Sequence, residues 1–221
     1  MNHLEHRESL SNRYLALRHG KSKANDDGII VSSPEIGTMG YGLVDEGRRE
    51  VRISIAMALE EGVIDENVII YASDFVRTRD TADVARIATG TREGVRLTKK
   101  LRERFFGELE GASNIHYEDV WKVDKIHPHH KFYGVESAEE VQTRTTSLIA
   151  DLESLYSAQT IILASHGDAL QILETGFRRI SPKYHRDIPH LQTAELRELT
   201  LTTGLGPKHL EKALRGGTLI G

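Results

Sequence analysis

Three short polar clusters, each following an apolar run, hold the residues best suited to chemistry. The first is Leu17-Arg18-His19-Gly20-Lys21-Ser22, with Asn25 three residues on. A neutral imidazole attacks phosphorus when its other ring nitrogen is held by a carbonyl, which fixes the tautomer. An adjacent guanidinium holds two phosphoryl oxygens in a fork, a glycine lets backbone approach, and Ser22 and Asn25 add neutral donors. In the second cluster Arg77 lies four residues after Ser73, at the start of a predicted helix, where backbone N–H groups also favour an anion. The third, Ser165-His166-Gly167, repeats the histidine–glycine pair, and a protonated His166 would bind phosphate oxygens opposite His19. Each cluster alone has an ordinary reading: a surface Arg-His pair, a solvated helix arginine, a hydrogen-bonded strand-end histidine.

The elements that must position these clusters follow from the apolar pattern. Residues 14–17, 68–72 and 160–164 read as buried strands, and 195–202 as a final one. Helices are predicted over 45–61, with Asp45 as cap, over 78–88, after the Ser137/Glu140 capping box, over 169–177, and from Pro207 to Gly216. On the helix after Ser137, residues Val141, Leu148, Ile149, Leu152 and Leu155 share one face. Residues 20–42 read as a Gly/Ser-rich loop. Residues 112–133 read as an irregular, His-rich loop or small subdomain over the site, with Trp121 and Phe132 as its packing anchors. Alternating strands and helices predict one α/β domain over 1–221, a three-layer α/β/α sandwich with a mostly parallel central sheet. Ligands in such folds bind beyond the carboxyl ends of the strands, where the three clusters fall.

Composition removes several function classes. A formal net charge of −4 gives no bulk attraction to nucleic acid or anionic lipid. With no cysteine there is no disulfide, thiolate zinc site or cysteine nucleophile. The polar leader 1–12 lacks the apolar core of a signal peptide, and no apolar run is long enough to span a bilayer, so a cytoplasmic protein is expected. The group His127-Pro128-His129-His130 fits no standard zinc spacing and reads as exposed loop, so neither metal nor cofactor is expected.

In order and spacing these motifs resemble the histidine phosphatase superfamily, which includes the cofactor-dependent phosphoglycerate mutases. The match is collinear from about Tyr14 to Phe177. It adds Leu43 with Gly47; Ser73-Asp74-Phe75 with Thr81 and Ala82; Leu101, Glu103, Gly107, Glu110 and Gly111; and Gly134, Glu136 and Ser137 with Arg144. The resemblance implies that His19 becomes the phosphohistidine, that Arg18, Arg77, His166 and Asn25 hold the phosphoryl oxygens, and that Glu103 is the proton donor. Glu103 must be protonated in the first step, so burial that raises its pKa is expected. Ser22, Asn25, Lys21, Arg104 and Gly167 are the expected substrate-binding residues.

Four departures bear on the reaction or its substrate. Lys21 stands where many relatives have Glu or Gln, and the segment 26–41 is slightly long, so Ser32 and Ser33 are expected to affect substrate preference. The segment between Gly111 and Gly134 is shorter than in the family's mutases, and Phe106 replaces their tyrosine near the acid. Both favour hydrolysis of a small phosphomonoester over mutase transfer. Lys21, Arg102, Arg104, Lys122, Lys125 and Lys131 are cations that would serve a mutase. An inactive phospho-ligand binding module would be expected to lose one of His19, Arg77, Glu103 or His166, and all four are present. A homodimer through an edge strand or the C-terminal segment is a further expectation by analogy.

Overall fold

Five strands form the centre of the computed structural model, which describes residues 1–202. They are β1 (Arg13–Arg18), β2 (Ile69–Ala72), β3 (Arg96–Leu97), β4 (Thr160–Ser165) and β5 (Leu196–Leu199). Their order is β3-β2-β4-β1-β5, all parallel except β5, which runs antiparallel to β1. The apolar runs are continuous because both faces of the sheet are covered. Tyr14, Ala16, Ile161 and Leu163 pack under α6 (Ala138–Leu155) and α7 (Gly167–Arg178). Their alternating neighbours Leu15, Leu17, Ile162 and Ala164 pack under α3 (Asp45–Glu60) and α4 (Val76–Thr89). This is the expected mostly parallel sheet with helices on both faces.

The register fixes the site. Arg18 pairs with Ser165 and Ala72 with Ala164, so β1, β2 and β4 end side by side at their carboxyl ends. The Ser137/Glu140 capping box opens α6 as expected, with the Ser137 hydroxyl accepting from the Glu140 N–H at 3.2 Å.

Other expectations are corrected. The stretch 20–42 contains α1 (Lys23–Asp27) and a one-turn α2 (Pro34–Gly37), the latter started by a proline whose missing N–H costs nothing at a helix start. The stretch 112–133 contains α5 (Tyr117–Asp124), whose buried residues are Val120 and Asp124. Asp45 is the first residue of α3 and not its cap, a place where a carboxylate suits the helix dipole. Helix α4 starts two residues earlier than predicted, so Arg77 lies in its first turn. Leu155 and Phe132 are exposed, which removes them from the predicted α6 face and from the predicted loop anchors. The expected helix 207–216 lies outside the described residues.

Candidate active site

A cavity of about 370 Å³ opens beyond the ends of β1, β2 and β4. It brings together Arg18, His19, Ser22, Asn25, Arg77, Glu103 and Gly167 from the sequence reading. A larger hollow of about 660 Å³ lies beside β3, lined by residues such as Thr91 and Arg96, and contains none of these groups.

His19 follows β1 and is buried. Its Nδ1 lies 2.8 Å from the Gly20 carbonyl oxygen. Since a carbonyl only accepts, the proton sits on Nδ1 and the Nε2 lone pair is free. Burial first, then the charges of Arg77 and Arg18, hold the imidazole well below its usual pKa. It is therefore neutral at physiological pH, with a free in-plane lone pair: a nucleophile in the state attack requires.

Three arginines near the cavity are largely withdrawn from solvent, and they differ in how their charge is met. Arg77 is 4% exposed, and its Nε donates to His166 Nδ1 at 3.0 Å and its Nη2 to the Val31 carbonyl at 2.9 Å. Its Nη1 is buried without a partner. Arg18 donates through Nη1 to the Leu191 carbonyl at 2.7 Å and to His190 Nε2 at 2.9 Å, and its Nε is likewise unpartnered. No carboxylate of the described residues pairs with either. Arg104 is fully buried but donates in a fork to Asp124, at 2.6 and 2.8 Å, and to the Glu136 carbonyl at 2.7 Å. A buried charge without a counter-ion is costly. Among the described residues Arg18 and Arg77 thus have no carboxylate partner and keep donors for an anion, whereas Arg104 is neutralised by Asp124.

Glu103, 8% exposed, follows Arg102 into the cavity wall. Its Oε1 accepts N–H bonds from Arg104 at 2.9 Å and from Ala169 in the first turn of α7 at 3.1 Å. Oε2 is left to carry a proton. Burial, followed by the nearby Asp168 carboxylate, raises its pKa, and Arg77 opposes that shift.

The structure corrects five of the site expectations. His166 is neutral, held well below its usual pKa by burial and by Arg77. Its Nδ1 accepts from Arg77, and its Nε2 lies 3.0 Å from the Ser73 hydroxyl, so in this arrangement it stands behind Arg77 as an acceptor, where a protonated ring was expected. Arg104 is walled off from the cavity by its carboxylate partners. Lys21 turns away to Glu46 and Asp26, at 2.7 and 3.1 Å. The Ser22 hydroxyl proton goes to Asn25 Oδ1 at 2.8 Å, so Asn25 offers the cavity its amide N–H groups and Ser22 offers only acceptor capacity. Gly20 faces α3 and not the phosphate position: a Cβ there would lie 2.4 Å from the Gly47 carbonyl oxygen.

Neighbouring expectations also shift. Ser32 and Ser33 are held by Glu110, through bonds of 2.6 to 2.9 Å, outside the cavity lining. His130 is buried against Asp124 at 2.9 Å, while His127 and His129 are exposed. Trp121 lines the cavity and donates to Asp168 Oδ1 at 3.0 Å.

Tyr117, Glu118, Asp168 and His190 also line the cavity and were not singled out from sequence. His190 accepts from Arg18 and contacts Gln171 Oε1 through Nδ1 at 3.1 Å, a neutral bridge whose pKa burial and Arg18 press down to about 4. Gly167 leaves room for two side chains of the site, since a Cβ would lie 2.9 Å from His190 Cε1 and 3.4 Å from Arg18 Nε and would push them aside.

This fold and strand-end histidine site define a class, and the chain belongs to the histidine phosphatase superfamily (branch 1), whose family model matches residues 14–209. Among curated proteins it is 27% identical, over 79% of this chain and 85% of the relative, to a 2,3-bisphosphoglycerate-dependent phosphoglycerate mutase of Xanthobacter autotrophicus. Among solved structures it resembles a mycobacterial glucosyl-3-phosphoglycerate phosphatase, with TM-score 0.69 and 21% identity over 84% of this chain and 88% of that one. It also resembles a mutant phosphoserine phosphatase of Entamoeba histolytica in complex with phosphoserine, with TM-score 0.67 and 20% identity over 85% and 89% of the two chains.

Proposed function

We propose that the protein is a phosphomonoesterase that works through a phosphohistidine on His19. The observation that carries this reading is the free Nε2 lone pair of a neutral His19 beside the buried Arg77 and the part-buried Arg18, neither of which has a carboxylate partner among the described residues. Arg18 and Arg77 bind the phosphoryl oxygens, with the Asn25 amide at the rim. Phosphoryl transfer needs charge stabilisation on those oxygens and in-line placement more than unusual reactivity. His19 Nε2 forms a bond to phosphorus as the phosphorus–oxygen ester bond breaks, and the proton on Glu103 Oε2 passes to the leaving oxygen. Water then attacks the phosphohistidine. The Glu103 carboxylate takes a proton from that water, inorganic phosphate leaves, and His19 and Glu103 return to their starting states.

Hydrolysis is preferred to mutase transfer because, among the described residues, the cavity lining contains no cation beyond Arg18 and Arg77. A mutase must hold a second anionic group of a retained intermediate. Of the cations considered from sequence, Lys21, Arg102, Arg104, Lys125 and Lys131 pair with carboxylates, and none of these or Lys122 lines the cavity. The names of the curated relatives support the mutase as the second reading.

Rapid quench of the enzyme and labelled monoester into alkaline detergent tests the chemistry. The expected result is an acid-labile, base-stable label on protein that disappears in His19→Ala, together with free phosphate release. Transfer of label to a phosphoglycerate acceptor in the presence of a bisphosphate primer, without net phosphate release, would select the mutase.

A further inference from the structure

Beyond the phosphate end, the cavity wall is aromatic and acidic. Tyr117, Glu118 and Trp121 of α5 line one part of it, and the apolar Ile29 and Val31 line another. The Tyr117 and Trp121 rings are stacked, with centroids 5.3 Å apart and 11° between planes. Trp121 is fixed by its bond to Asp168, and Arg186 lies over the same ring at 3.6 Å from its centroid. Arg186 is itself bonded to Gln171 and is not a lining residue. Among the described residues, the carboxylates lining the cavity are Glu103, Glu118 and Asp168, against the two arginines of the phosphate clamp.

The charge distribution determines what fits outward of the phosphate. A phosphomonoester dianion matches the two guanidinium groups. A further carboxylate or phosphate on the alcohol part would then meet the exposed Glu118 carboxylate with, among the described residues, no cation to receive it and only the neutral donors of Tyr117 and Asn114. An uncharged alcohol part with apolar or aromatic surface would instead cover the stacked rings and the Ile29/Val31 side. We infer that the preferred substrates are monoesters whose alcohol part carries no second anionic group, and that Glu118 is a residue that rejects those that do. This rests on the phosphomonoesterase reading and narrows it to a substrate class.

Two size-matched esters, para-carbamoylphenyl phosphate and para-carboxyphenyl phosphate, test the inference. Calorimetric binding to the His19→Ala chain reads charge selectivity without turnover. Steady-state hydrolysis by the unmodified chain reads the reaction. The neutral ester should bind about tenfold more tightly and show about tenfold higher kcat/KM, the scale of a partly screened like-charge contact. Glu118→Gln should narrow that ratio and Glu118→Lys should reverse it. Equal binding of the two esters, tighter binding of the carboxylate, or a ratio unmoved by both Glu118 substitutions would overturn the inference. Selective binding without any turnover or phosphoenzyme would leave the substrate class standing and remove the hydrolase reading.

Discussion

The Arg77 Nε donates to His166 Nδ1 at 3.0 Å, with both groups buried at the junction of β2, β4 and α4. The imidazole can accept there only while neutral, and burial together with Arg77 keeps it so. It also fixes the guanidinium so that the unpartnered Nη1 is available to an anion.

His166 is thus a positioning residue. His166→Ala should lower kcat about a hundredfold, the usual loss when one preorganised donor is misplaced. His166→Asn, which can present an oxygen near the position of Nδ1, should recover a substantial part of it. The check is kcat and KM measured side by side for both variants. Equal losses in Ala and Asn would assign His166 a purely packing role.

Glu103 gives a prediction with a defined pH sign. Its pKa is raised in the folded chain, first by burial and then by Asp168, so the folded state binds that proton more tightly than the unfolded state. The resulting stability is fully present below the unfolded value and is lost as pH rises through the folded value. Glu103→Gln keeps an acceptor for the Arg104 and Ala169 N–H groups and cannot ionise. It should therefore raise Tm near about pH 8 and leave it nearly unchanged near about pH 4, slightly below the usual glutamate value. In activity, kcat/KM of the native chain should fall as pH rises through the same ionisation. The variant should lose that limb and slow alkyl phosphates about a hundredfold more than nitrophenyl phosphate, whose leaving group needs no proton. Melting curves and leaving-group comparisons at several pH values are the measurements.

Much of this site was legible in the sequence because the chain marks its strand ends sharply. The runs 15–17 and 161–164 are apolar at every position, as strands covered on both faces must be, and each breaks into Arg-His or Ser-His at the carboxyl end of its strand. His19, Arg18, Arg77 and His166 follow from that pattern. Glu103 does not: within Lys99-Lys100-Leu101-Arg102-Glu103-Arg104 it looks like a solvated charge, and only the family resemblance singled it out. Its burial comes from contacts with α7, more than sixty residues away in the chain. Arg104 was misread for the same reason, since its partner Asp124 lies in a stretch that looked irregular. The helix α5 left one usable signal, Tyr117, Val120 and Trp121 at helical spacing, but eight residues are too few for periodicity to outweigh the histidines and lysines that follow. His190 left none. It sits beside Pro189 outside any regular element and acquires its role only through Arg18 and Gln171.

Gly167 is required by proximity and not by an unusual backbone. Gly167→Ala would place a methyl 2.9 Å from His190 Cε1 and 3.4 Å from Arg18 Nε. The side chains, and not the strand, are the parts able to yield, so Arg18 should shift while the fold persists. The expected outcome is a rise in KM of about tenfold with Tm nearly unchanged, since phosphate loses a well-placed fork. Inorganic phosphate inhibition constants provide an independent reading, and an unchanged constant would contradict the shift.

Arg104 separates stability from catalysis in the opposite way. It is fully buried, forks onto Asp124, and reaches toward Asp168 at 3.4 Å, with His185 Nε2 3.4 Å from the other Asp168 oxygen. Asp168 stays ionised despite burial because His185 and Arg104 hold its pKa well below the ordinary carboxylate range. Arg104→Ala would leave two buried carboxylates short of their cation, a defect that costs about 3–5 kcal/mol when one partner of a buried pair is removed. Asp124→Asn removes one of those carboxylates and keeps polar atoms of similar shape, so adding it to Arg104→Ala should restore part of the loss. A direct phosphate ligand would behave differently, with phosphate affinity falling in Arg104→Ala and the second substitution giving no recovery. Denaturant titration of the single and double variants, alongside phosphate binding to each, distinguishes the buried strut that the geometry describes from the substrate contact that the sequence suggested.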